Sequence, residues 1–127
     1  MVVNKNHPLI VNSLFPLFDP ASMAWEPFRA GIEIHRLYDC EGGPSAALLR
    51  YAADAKLTRH VHVGYEHILI LAGSQIDDSG EHHTGALLIH GPGSSHAISS
   101  PRGCIVLAVW ERPVRFLSDA EGVGGGR

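Results

Sequence analysis

Glycine and proline cut this chain into short apolar runs, and that cadence restricts its fold more than any other feature. Gly31-Ile32-Glu33-Ile34-His35-Arg36-Leu37-Tyr38 alternates apolar and polar residues, as a half-buried strand does. Cys40-Glu41-Gly42-Gly43-Pro44 is a turn, and Ser45 to Tyr51 is the next strand, with Ala47, Leu49 and Tyr51 on one face. Ala52 to Lys56 breaks the pattern before a strand from Leu57 to His62. Glu66 opens the run His67 to Ala72, which Gly73 stops; it is short and β-branched, so strand is favoured over helix. Ser74 to Asp77 leads to a hairpin at Asp78-Ser79-Gly80, and Glu81 to Thr84 returns the chain. Ala86 to His90, a brief pairing at Ala97-Ile98, and the very apolar Cys104 to Trp110 follow. Leu9 to Val11 and Val114 to Leu117 read as edge strands, and one helical turn is expected after Asp19. Nine or ten short strands with almost no helix signal predict an all-β sandwich or barrel. We expect an arm with an edge strand over 1–24, a single barrel domain over 25–117 and a flexible tail over 118–127.

At 127 residues, 45% apolar and 18% charged, the chain is long enough for a real core. A formal charge of −3 argues against nucleic acid as a partner. No apolar run reaches the length of a membrane span, and the N-terminus does not read as a signal peptide, so a cytoplasmic protein is expected. Cys40 and Cys104 form no Cys-x-x-Cys pair, which excludes a cysteine zinc knuckle and favours two reduced thiols.

Nine histidines are many for this length. His60-Val61-His62-Val63-Gly64-Tyr65-Glu66 holds two imidazoles and a carboxylate at even positions, which one face of an extended strand can carry, with Gly64 allowing a tight turn. His96 follows in Gly91-Pro92-Gly93-Ser94-Ser95-His96. His60, His62, Glu66 and His96 make a credible donor set for one divalent metal ion per chain: zinc, iron, manganese or nickel. Three neutral imidazoles and one carboxylate leave such an ion at net charge +1. A tetrahedral site with these donors would be closed, whereas an octahedral one would keep two positions for a small molecule, O2 or water. Tyr51, Tyr65, Gln75 and Ser94 are near enough in sequence to support the donors. Tyr65 and Cys104 are the candidates for a catalytic role, each weighed against packing in the core. His67 alternates away from Glu66 and is expected to point outward. Ile68, Ile70, Leu88, Val106, Ala108 and Trp110 form a stripe expected to line the barrel and to suit a small, partly apolar ligand.

These residues resemble the cupin superfamily. Its first motif is Gly-x5-His-x-His-x3,4-Glu-x6-Gly; His60, His62, Glu66 and Gly73 match, while Asp54 stands at the leading glycine. Its second is Gly-x5-Pro-x-Gly-x2-His-x3-Asn; Gly85, Gly93 and His96 match, the proline is displaced to Pro92, and Ser100 replaces the asparagine. A closer resemblance is to the ChrR-type cupins of zinc-dependent anti-sigma factors, carried by Trp25 to Leu37, Leu48 to Tyr51, His60 to Glu66, Leu69 to Gly73 followed by Asp77, Gly85, His96 and Ser100 to Cys104. The resemblance covers about residues 25–112. It implies a jelly-roll barrel, also called a double-stranded β-helix, with one metal on His60, His62, Glu66 and His96. It does not imply sigma-factor binding, because the anti-sigma module is a separate N-terminal helical domain; the expectation is a stand-alone cupin. Stand-alone relatives include dioxygenases that cleave β-diketones. The expected function is therefore a metal-dependent dioxygenase acting on a small oxygenated molecule. The rivals are a non-catalytic zinc cupin that senses or binds a ligand, and a metal-free structural barrel. A homodimer paired through an edge strand is also expected, at Leu9 to Val11 or Val114 to Leu117.

Overall fold

The computed structural model describes residues 9–10 and 20–117. Among them, a single turn of 3-10 helix at Pro20–Ser22 precedes ten strands. These are β1 (Glu26–Arg29), β2 (Ile32–Asp39), β3 (Ser45–Tyr51), β4 (Ala55–Val61), β5 (Glu66–Asp77), β6 (Gly80–His83), β7 (Leu87–His90), β8 (Ser95–Ser100), β9 (Cys104–Trp110) and β10 (Arg115–Phe116). All the pairings are antiparallel, in the order β1-β2-β3-β9-β5-β8-β4-β10, with β6 and β7 also on β5. The result is the expected cupin jelly-roll barrel.

β5 joins the two halves. Its first residues lie between β7 and β9, and its last ones pair with β6 and β8. Gly73 does not stop this strand as the sequence suggested. The register against β9 slips by one residue between Ile70 and Ala72, and Gly73 continues the strand at φ 72°, a conformation that costs glycine little. The slip reverses which side chains face inward. Before it, Glu66, Ile68 and Ile70 are buried inside; after it, Gln75 and Asp77 occupy the inner face.

β4 has a matching bulge. Leu57 pairs with Ile98 but His60 pairs with His96, so β4 carries one extra residue and its inner face moves from Ala55 and Leu57 to His60. The strand also begins at Ala55, inside the segment expected to interrupt the pattern. Asp54, at φ 66°, makes the tight turn that permits this.

Inward-facing Ile32, Ile34, Ala47, Leu49, Tyr51, Ile68, Ile70, Val106, Ala108, Trp110 and Phe116 fill the barrel, with Leu88 partly buried against them. Each fully buried aliphatic or aromatic side chain contributes about 1.5–3 kcal/mol relative to exposure. A smaller cluster of Leu48, Leu71 and Ile105 lies on the other face, covered by Met23 and Trp25. Trp25 donates from Nε1 to the carbonyl of Pro20 at 2.8 Å and carries the Arg50 guanidinium on its ring at 4.5 Å. This anchoring explains β1, a strand that the Trp25 to Phe28 segment did not announce. Of the proposed edge strands, Val114 to Leu117 shortens to β10; Leu9 and Ile10 join no strand, and Val11 lies outside the described residues. No helix among the described residues is long and apolar enough to cross a membrane.

Candidate metal centre

The four predicted donors converge, but not from one strand. His60 is on β4, His62 lies just past its end, Glu66 opens β5, and His96 sits on β8 directly across from His60. The chain bends at Val63-Gly64 to pass from one sheet to the other. A side chain at Gly64 would meet Glu111 Oε1 at 2.8 Å and the Arg112 backbone nitrogen at 3.2 Å, so the bend is closely packed. All four residues are buried, and one ligand atom from each lies within 4.8 Å of the others.

Hydrogen bonds on the outer nitrogens fix how the imidazoles face inward. His60 Nδ1 donates to the Thr58 carbonyl at 3.0 Å, a group exposed by the β4 bulge. The Ser94 hydroxyl donates to the Gly91 carbonyl at 2.6 Å, so its oxygen accepts from His62 Nδ1 at 2.9 Å. His96 Nδ1 donates to Asp77 Oδ2 at 3.0 Å. Each assignment places the proton on Nδ1 and leaves the Nε2 lone pair for the centre. On Glu66, Trp110 Nε1 donates to Oε2 at 2.6 Å, leaving Oε1 free.

The freed atoms point at each other without bonding. His62 Nε2, His96 Nε2 and Glu66 Oε1 are buried and have no hydrogen-bond partner, although His62 Nε2 lies only 3.0 Å from Glu66 Oε1. Lone pairs converging in a dry interior are costly unless something positive joins them. Donors held at about 2.1 Å on one ion lie about 3.0–4.2 Å apart. The Glu66 Oε1 distances of 3.0 Å to His62 and 4.0 Å to His96 fall in that range. The donor set therefore fits a divalent metal ion.

The electrostatics also favour binding. Burial pushes the His60 imidazole down to about 4, and the neighbouring His96 and His62 add to the effect while the Thr58 carbonyl opposes it. A neutral imidazole is the form that ligates. Burial would raise the Glu66 carboxyl, but a proton shared with His62 and positive charge on His62, His60 and His96, when these imidazoles are protonated, outweigh it and hold the group below its ordinary range. Asp77 is also held low: Ser79, His82 and His96 outweigh the effect of burial.

Two of the residues in this environment had not been read as functional. His90, at the end of β7, stands opposite Glu66 in the register, with Trp110 opposite Glu66 on the other side. Its ring stacks on His62 at 4.7 Å between centroids and meets His96 edge-on at 4.5 Å. Alternation from Leu88, already expected inside, was the available signal. Asp77 supports His96, but its inward position depends on the β5 slip, which nothing in the sequence announces. Asp77, His90 and His96 form a second group of potential donors that shares His96 with the first.

The two catalytic candidates are elsewhere. Tyr65 is 52% exposed, in a surface depression with Pro44, His67 and Glu111, because alternation from buried Glu66 turns it outward. Cys104 is buried in the core at the far end of β9 from Trp110, where burial pushes its thiol up to about 11 despite the Ser100 hydroxyl. Of the proposed supports, Ser94 holds His62, whereas Tyr51 is packed in the core. The side-chain amide of Gln75 is buried with no hydrogen-bond partner on either polar atom. His67 is exposed, and Cys40 and Cys104 are free thiols.

Comparison with known proteins agrees with this architecture. The chain superposes on an acetylacetone dioxygenase from Acinetobacter johnsonii with a TM-score of 0.73 and 16% identity, covering 99% of this chain and 91% of that one. An RmlC-like cupin protein from Ralstonia eutropha JMP134 matches with a TM-score of 0.72 and 18% identity, over 86% of this chain and 76% of that one. The complex of Rhodobacter sphaeroides SigE with the anti-sigma ChrR matches at 24% identity and a TM-score of 0.65, over 72% of this chain and 50% of that one. This chain thus spans half the length of that one. At such identities these likenesses establish the fold. No curated protein sequence matches the chain significantly. The family model for the ChrR cupin-like domain matches residues 16–115, and the chain belongs to that family.

Proposed function

We propose that this protein is a metal-dependent dioxygenase acting on a small oxygenated organic molecule such as a β-diketone. The observation that carries the reading is the convergence of unpartnered Nε2 and Oε1 atoms in an apolar barrel. A redox-active divalent ion, when bound, would supply Lewis-acid polarisation of carbonyl oxygens and electron transfer with O2.

The chain's own part is positioning. Thr58, Ser94 and Asp77 hold the imidazoles in the ligating tautomer, and Trp110 fixes the Glu66 carboxylate. Ile68, Ile70, Val106 and Phe116 exclude water and suit the alkyl ends of a small substrate. A groove of about 420 Å³, lined in part by Leu57, Thr58, Asp77, Ala97 and Ile98, approaches His96 through Asp77. In the overall reaction O2 is consumed, one carbon–carbon bond breaks, and each fragment receives one oxygen atom. The acetylacetone dioxygenase, similar over nearly its whole length, supports this choice by analogy.

The test is oxygen uptake by iron-loaded protein with acetylacetone. We expect turnover with the native chain and none with His96→Ala. The family favours a second reading, a zinc-holding cupin that senses or binds a ligand. Tightly held zinc with no oxygen uptake under any metal would select it. Free thiols fit a cytoplasmic setting. A homodimer belongs to the same proposal: β7 has one strand partner among the described residues and exposes Leu87 and Ile89, an edge that benefits from cover. A monomer by light scattering would remove that part.

A further inference from the structure

We propose that His90 binds the small molecule rather than the metal, donating a hydrogen bond from Nε2 to an enolate oxygen held beside Glu66 and His96. The inference rests on the metal-binding and β-diketone readings above and adds a specificity residue to them. Neither motif of the family resemblance includes this position.

The orientation of His90 sets it apart from the metal ligands. Its ring lies on that of His62 at an interplanar angle of 11° and 4.7 Å between centroids. An ion on His62 would lie in the plane of that ring, about 2.1 Å beyond Nε2. A parallel ring is displaced to the side of such an ion instead of aiming at it. The same displacement suits a contact one atom further out. A ligand atom about 2.1 Å from an ion, accepting a hydrogen bond of about 2.9 Å, lets the donor stand up to about 5 Å from that ion.

Three observations carry the proposal. The first is placement. β5 sets Glu66 between Trp110 on β9 and His90 on β7, all in register, and His90 Nε2 lies 4.0 Å from Glu66 Oε1. A nitrogen that looks onto a carboxylate oxygen is favoured in the tautomer that carries the proton, so it donates. The second is satisfaction. His90 Nε2 is buried and has no hydrogen-bond partner. A bound ion would satisfy the Nε2 atoms of His62 and His96, but not this one. Trp110 Nε1 is committed to Glu66 Oε2 and Asp77 to His96, which leaves the His90 nitrogen open to a ligand. The third is access. The His90 side chain is 18% exposed, against 0% for His62, 5% for Glu66 and 3% for His96. His90 thus reaches from the solvent side to the centre, where an entering molecule would meet it. An oxygen anion with small apolar substituents answers both this N–H and the aliphatic lining, and the enolate of a β-diketone has that form.

The experiment is titration of the zinc-loaded full chain with acetylacetone, followed by calorimetry and by the ultraviolet absorbance of the enolate. Zinc is not redox-active, so the probe is bound and not consumed. His90→Phe keeps a flat ring against His62 and removes the nitrogen; His90→Ala covers the case in which the larger ring disturbs β7; His90→Gln returns an N–H. We expect acetylacetone affinity to fall by about tenfold or more in the Phe and Ala variants and to recover largely in the Gln variant. Zinc content should match the native chain in all three. Equal acetylacetone affinity in native, Phe and Ala chains would overturn this proposal alone. So would an equal loss in all three variants, which would make His90 a packing residue, or loss of zinc from them, which would make it a support of the metal pocket. Zinc uptake without acetylacetone binding by the native chain would overturn the β-diketone reading and this proposal with it, and no zinc uptake would overturn the metal-binding reading as well. Binding that depends on His90 without oxygen uptake on iron loading would leave this proposal standing and remove the dioxygenase alone.

Discussion

Ser94 shows how much a single hydroxyl can decide. Its proton is committed to the Gly91 carbonyl, so towards His62 it can only accept. That commitment makes Nδ1 the protonated nitrogen of His62 and Nε2 the ligating one. In a Ser94→Ala chain the imidazole would lose both its orientation and its tautomer preference. We expect zinc affinity to fall by about 10–100-fold, the usual cost of removing a group that orients a ligand, with little change in the fold. Chelator competition measures it, and an unchanged affinity would show that the barrel wall alone fixes the ring. The clustering of His60, His62, Glu66 and His96 as a candidate donor set was legible in the sequence, because ligand chemistry restricts residue type and spacing together. Ser94 was legible as a neighbour of His96, although it serves His62 instead. Thr58 was not legible, because it contributes a backbone carbonyl that any residue type would supply.

At the level of elements, the two bulges do most to build the site. The slip at Leu71 in β5 turns Asp77 inward to His96, and the extra residue in β4 turns His60 inward. Gly73 is tied to the first of these. A Cβ there would overlap the Gly103 carbonyl oxygen and approach Cys104 Cα at 3.0 Å, on a backbone at φ 72°. Gly73→Ala should therefore destabilise the protein by at least about 2 kcal/mol, combining left-handed strain with a backbone clash. Chemical denaturation checks this; a loss under about 0.5 kcal/mol would mean that β5 relaxes freely at that point. β9 was legible from end to end, because an apolar run bounded by Gly103 and polar Glu111 has few alternatives. The course of β5 past Gly73 was not, because a glycine can end a strand or bend it, and local sequence does not distinguish the two. His90 was missed for a different reason. Alternation from Leu88 placed it inside, but nothing local tells that β7 lies beside Glu66, since that register spans the hairpin between them.

For the whole molecule, the candidate centre couples stability to proton concentration and, in the metal-binding reading, to metal concentration as well. His60 titrates near 4 in the folded chain and near its ordinary 6.5 when unfolded. Between those values the unfolded chain binds a proton that the folded one does not, so metal-free stability falls as pH drops from about 6.5 to about 4 and is unaffected by this group above 7. The gap amounts to about 3 kcal/mol at the acid end. His90 is lowered mainly by burial, then by His96, and acts in the same direction. Glu66 and Asp77 are held low in the fold, so their contribution is present above the ordinary carboxylate range and is lost below about pH 4 as the unfolded chain protonates first. All four groups thus destabilise the protein in acid, the histidines first. Bound zinc opposes this at neutral pH, because an ion at about 100 times its Kd adds about 2.7 kcal/mol, and the benefit shrinks in acid as protons compete for the same nitrogens. Thermal unfolding followed from pH 8 to pH 4, with and without zinc, should give a metal-free Tm that is level above pH 7 and declines below 6.5. The zinc increment should be largest at pH 8 and nearly gone by pH 4. A metal-free Tm that stays level through pH 5 would mean that His60 is solvated and protonates freely. A zinc increment independent of pH would place the ion on groups other than these imidazoles.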